Sequence, residues 1–180
     1  MLNPINDKQK FIYTLIYPAL LGSMLFEILP IKLCPIYLFK FLIIIFFLLD
    51  YYHLYFIMDN KFDDDKKISP KYIYGDLAVS LLLFSALKYA DSLPIFSTWA
   101  IVGVTVCFFV YSHELDYEFK FYKSLVVITA ICAIITTIII NLEILINLQV
   151  YIYSIFLAIV LIQYSKHILA QKKTYNKKDN

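Results

Sequence analysis

Asp50 and His53 stand three positions apart in LLDYYHLYFIM, within one of the most apolar stretches of the chain. That spacing puts a carboxyl and an imidazole on one face of a helix. Together they can hold a proton, work as an acid and base, or lend ligands to a cation. A further acid, Asp76, sits between Tyr72 and Ser80 at successive i+4 steps, forming a polar stripe near the start of another apolar segment. The two stripes can face each other. His113 and Glu114 close a third apolar segment and add a second imidazole and carboxyl, and His167 closes the last one. The candidate polar layer is therefore Asp50, His53, Asp76, His113 and Glu114. Their atoms suit a metal, but they come from separate segments without ligand spacing, so no metal and no cofactor is assigned. DNKFDDDKK at 59–67 is acidic but lacks the glycine and terminal glutamate of a calcium loop, and reads as a solvated turn.

The elements that must position these groups are set by the solvent the chain prefers. Apolar residues make up 61% of the 180 positions and mean hydropathy is +0.72, well above an ordinary soluble domain. Apolar runs recur along the sequence and predict an all-α integral membrane protein, a compact bundle of six transmembrane helices in one domain. The expected spans are 11–30, 36–58, 71–89, 94–112, 123–141 and 144–166. Pro30 and Pro35 bracket the first turn, Ser69-Pro70 fits a helix start, and Asp91-Ser92 with Pro94 marks another turn. All sixteen basic residues are lysines, and thirteen of them fall beside the spans on one side, against Lys32, Lys40 and Lys88 on the other. Lysine is retained on the cytoplasmic side, so both termini are expected there. The first apolar segment carries Glu27 and has no convincing cleavage site, so it is expected to be a retained helix.

The depth of Asp50 decides its meaning. If the second span ends at Asp59-Asn60, Asp50 lies about 13 Å above that edge at 1.5 Å per residue, close to mid-membrane, and must be neutral or paired. If the span instead ends near Leu49, Tyr51, Tyr52, Tyr55 and Phe56 form an interfacial belt and Asp50 is wet. The lysines favour the deep placement, because the shallow one draws Lys32 and Lys40 inward.

Two small-residue stripes predict packing seams: Thr129, Ala133, Thr136 and Thr137 in the fifth span, and Asn147, Tyr151, Ser154 and Ala158 in the sixth. Glycine occurs only at 22, 75 and 103, which argues against broken helices of the transporter kind. Cys34, Cys107 and Cys132 are widely spaced and read as small buried hydrophobes. LDYEFKF at 115–121 alternates with period two, which predicts an extended interfacial segment.

A chain with no arginine lacks bidentate forks for phosphate, which argues against direct nucleic-acid binding. The reading that fits is a small conduction, permeability or regulatory/effector protein, with the polar layer lining or gating a proton or cation route. The alternatives are an intramembrane enzyme acting on a lipid or isoprenoid, and a scaffold or substrate-capture subunit of a larger membrane complex. Expected partners are the lipid bilayer and either further copies of the chain or a membrane or cytoplasmic protein. The expected location is a plasma membrane, a bacterial inner membrane.

Overall fold

The computed structural model describes residues 11–31, 34–61, 70–112, 119–141 and 148–176. These form six α-helices: α1 (Tyr17–Glu27), α2 (Pro35–Lys61), α3 (Pro70–Lys88), α4 (Pro94–Ser112), α5 (Phe119–Asn141) and α6 (Gln149–Asn176). Three of them begin on proline, whose fixed φ suits the first helical turn and whose missing N–H costs nothing there. Pro18 falls inside the first helical segment instead. Its ring crowds the carbonyl four residues back, and the backbone over Ile12–Ile16 widens into a π-turn before α1.

Ring contacts fix the helix directions. Phe39 meets Tyr153 and His53 meets His167, so α2 and α6 run parallel in constant register. Tyr89 meets Phe96 and Leu82 faces Gly103, so α3 and α4 run antiparallel. Phe121 and Tyr122 at the start of α5 meet His167 late in α6, which makes that pair antiparallel too. An up-and-down chain of six helices requires this alternation. Helices α2 to α6 form a closed ring, α6 packing back onto α2, while α1 lies against α2 and α3. Phe108 of α4 fills the middle, touching Phe46 of α2, Tyr122 of α5 and Tyr164 of α6.

Among the described residues, three helices are long and apolar enough to cross a membrane: Pro35–Leu54, Lys120–Asn141 and Gln149–Ala170. The expectation of six such spans is thereby narrowed. Thr14–Glu27 and Pro94–Val110 are apolar but shorter, and α3 carries Lys71, Asp76 and Lys88 among its apolar residues. Boundaries also shift. α6 begins at Gln149 rather than 144 and continues to Asn176, and at 28 residues it is about 42 Å long.

The α5 seam is present. Thr129 and Ala133 are fully buried and Thr136 nearly so, with Tyr122, Leu125 and Ile140 completing a helical stripe. The α6 stripe is present in part: Ser154 is buried and Ala158 half-buried, but Tyr151 is exposed, and Tyr153, Phe156, Leu157, Val160 and Tyr164 supply most of the inward face. Large side chains win that face because α6 packs on the aromatic residues of α2. Asn147 lies outside the described residues. Phe119–Phe121, expected to be extended, is the first turn of α5, since Phe121 and Tyr122 both gain ring contacts that a helix provides. Cys34 is exposed, not buried, while Cys107 and Cys132 are half-buried; all three are free thiols.

Ala133→Leu is expected to lower the melting temperature of detergent-solubilised protein by several degrees, whereas Ile134→Leu leaves it unchanged. Ala133 is 0% exposed and Ile134 47%. Overpacking a closed seam costs about 1–3 kcal/mol. Equal behaviour of the two variants would show that the stripe is not a seam.

Candidate functional site

Among the described residues, most buried serine and threonine hydroxyls are satisfied within their own helix. Ser80, Thr98, Thr129 and Ser154 each donate to the carbonyl four residues earlier. Such groups close helix–helix gaps without linking helices. Two levels of side-chain bonds link helices among the described residues.

The first level centres on Asp50, which is 1% exposed. Tyr17 of α1 donates its hydroxyl to Asp50 Oδ2 at 3.2 Å, and Tyr164 of α6 donates to Asp50 Oδ1 at 3.1 Å. His53, 3% exposed, places Nδ1 3.0 Å from the same Tyr164 hydroxyl. A carboxylate out of water survives only with donors on its oxygens, and here each oxygen has one. The donors are held by ring packing. Tyr164 stacks on Phe108 at 5.2 Å and meets Phe46 edge-on at 5.4 Å, while Tyr17 stacks on Tyr51 at 5.4 Å and packs on Phe47. Each phenol is therefore aimed by its neighbours.

The network can reverse its polarity without moving a heavy atom. With Asp50 ionised, both tyrosines donate to it and His53 donates its Nδ1–H to Tyr164. With Asp50 protonated on Oδ1, that proton is donated to Tyr164 Oη, and the Tyr164 hydroxyl turns to His53 Nδ1. Tyr17 has a comparable choice. Its hydroxyl also lies 3.3 Å from the backbone carbonyl of Asp76, so its one proton can serve either acceptor. The carboxyl of Asp76 is close enough to act electrostatically on Asp50.

The second level, ten residues earlier on α2, is an ion pair between buried Lys40 and exposed Asp91 in the turn between α3 and α4. The Lys40 ammonium also lies 5.4 Å from the centre of the Tyr37 ring. About 15 Å of helix separates Lys40 from Asp50. Ile43, Phe46 and Phe47 of α2 fill that interval, with Phe156, Leu157 and Val160 on the parallel stretch of α6. Along α2 and α6 the two polar levels are thus separated by apolar side chains.

Of the residues expected to form the polar layer, Asp50 and His53 are joined through Tyr164, while Asp76 meets Tyr17 through its backbone carbonyl. His113 and Glu114 lie outside the described residues. Tyr17 and Tyr164 were not singled out as site residues by spacing alone. Tyr164-x-x-His167 on α6 does repeat the three-residue step of Asp50-x-x-His53, which is a signal once the helices are known to be parallel. Among the described residues no group of three or more metal-ligating side chains occurs.

Fold and site together define an all-helical bundle, several of its helices suited to a membrane, with a buried carboxyl–phenol–imidazole chain across three of them. The chain matches no family model, no curated protein and no solved structure.

Proposed function

We propose that the protein is an integral membrane protein of the plasma membrane, in the conduction and regulation class, and that it takes up and relays protons through the Asp50 network. The observation that supports this is the unbroken sequence His53 Nδ1, Tyr164 Oη, Asp50 and Tyr17 Oη, in which every group can both give and receive a proton or turn its hydroxyl. Each hydroxyl in this sequence can donate to either neighbour, which a proton relay requires. On this reading the apolar side chains of α2 and α6 between Asp50 and Lys40 hold the route closed, and protons enter from the Asp50 end. Passage beyond it requires the aromatic residues to move, which is the natural point for regulation by a partner, a further copy of the chain or the bilayer.

The test is proton movement into liposomes carrying the full chain, read by an entrapped pH dye under an imposed gradient. Flux above that of empty liposomes supports the reading. Permeability equal to that of empty liposomes at every gradient and voltage applied removes it.

The orientation that goes with this reading puts both termini and the Asp50 end in the cytoplasm, on the lysine-rich side. Cysteines introduced at Ser92 and Asn141 are expected to react with an impermeant reagent added outside, while those at Asp64, Glu118 and Gln171 need permeabilised cells. Labelling of Asp64 and Gln171 from opposite faces would overturn the even number of spans.

A further inference from the structure

We infer that His167 is the outer station of this relay, the group that accepts a proton from the cytoplasmic side and hands it to His53; the inference rests on the proton-relay reading and extends it by one residue. His167 lies one helical turn beyond Tyr164 on α6. Its ring lies flat on Phe121 of α5, 3.8 Å away and 3° from parallel, so the imidazole plane is held. The same ring meets Tyr122 and, at 6.2 Å, the ring of His53. Yet its Nε2 is buried with no hydrogen-bond partner among the described residues. Buried ring nitrogens are satisfied in nearly all proteins, and one left without a protein partner beside a second imidazole marks a place for a transient one.

The chemistry balances as a shuttle. Protonated His167 gives its Nε2 proton through one intervening water to the distal nitrogen of His53, a step that the ring separation accommodates. His53 then releases its Nδ1 proton to Tyr164, and Tyr164 releases its own to Asp50 Oδ1. His167 is left neutral, His53 has changed tautomer and Asp50 has gained the proton. Among the described residues, the titratable groups facing His167 are His53 from α2, Tyr122 from α5 and Tyr164 on its own helix. Lys166 on α6 and Lys120 and Lys123 on α5 all point outward.

The experiment uses the full chain in liposomes, with two readouts. The first is proton flux for His167→Gln, which keeps a polar side chain but cannot carry a proton, and for His167→Ala with imidazole added. Flux is expected to fall about 10²-fold in both variants, the lower end of what a positioned acid–base group contributes. Added imidazole is expected to restore it in His167→Ala and not in Asp50→Asn. The second is the ¹⁵N signal of His53 across pH, which is expected to report the protonation of His167 as a separate step that His167→Gln abolishes. Full flux in His167→Gln, with flux lost in Asp50→Asn, would overturn the inference while leaving the relay intact, its outer end then being His53. If the unaltered protein carries no protons, the relay reading fails and this inference falls with it. With flux present in the unaltered protein, a His53 titration identical in His167→Gln overturns the inference alone.

Discussion

Asp50→Asn is expected to fold and assemble normally and to carry no protons, and Asp50→Lys to fail at folding. The asparagine case follows from the donors around the position. Its amide oxygen accepts from Tyr164 as Oδ1 does, and its amide nitrogen donates to Tyr17 Oη, whose own proton turns to the Asp76 carbonyl 3.3 Å away. Both tyrosine hydroxyls thus keep a hydrogen bond to the side chain at position 50, but the amide cannot release a proton. Lysine has no acceptor to offer and places a cation with three donors between two phenols that are aimed to donate. An unpaired charge at a buried position costs about 3–5 kcal/mol or more. His53→Ala is expected to impair the same flux, because it removes the group that Tyr164 links to Asp50. Expression, melting temperature and proton flux in liposomes measure these outcomes. An Asp50→Lys protein that folds and conducts would remove both the buried carboxyl and its role.

The residues that could be read from spacing are those whose meaning is local to one helix. Asp50 and His53 share a face whatever else the chain does, and the prolines at 35, 70 and 94 start helices by their own stereochemistry. Asp91 looked like a turn residue, and it is one. That it also holds Lys40 depends on how α2 packs beside the turn between α3 and α4, which no window along the sequence contains. Tyr17 and Tyr164 were hidden for a similar reason. The chain has sixteen tyrosines, and only the parallel register of α2 and α6 and the position of α1 distinguish these two from those facing outward. Phe121 misled in the opposite direction. Its alternating neighbours suggested an extended strand, but two adjacent aromatic residues can both find partners at a helix start, one on His167 and one on Phe108. Tyr151 shows the limit of reading small and weakly polar residues as seams: α6 presents large rings to α2, so its inward face is set by the partner's side chains.

Tyr164→Phe is expected to stop proton flux while leaving the fold, although the protein loses only one oxygen atom. The ring is packed by Phe46 and Phe108, and phenylalanine keeps those contacts. What disappears is the hydroxyl that meets Asp50 Oδ1 at 3.1 Å and His53 Nδ1 at 3.0 Å. A hydrogen bond to a charged group contributes about 1.5–3 kcal/mol, so a measurable fall in melting temperature accompanies the loss, and it is largest where Asp50 is ionised. Tyr17→Phe makes the useful comparison, since it removes the other donor to Asp50 and leaves the link to His53 in place. If Asp50 needs its tyrosines only for solvation, the two variants should lower stability and flux by similar amounts. If Tyr164 is the conductor between His53 and Asp50, flux collapses in Tyr164→Phe and survives in Tyr17→Phe even where their melting temperatures agree. Combining each with Asp50→Asn completes the argument. The stability cost of Tyr164→Phe shrinks once the acceptor is a neutral amide, because the charge it stabilised is gone. A Tyr164→Phe protein with the flux of the unaltered chain would show that protons reach Asp50 by another path.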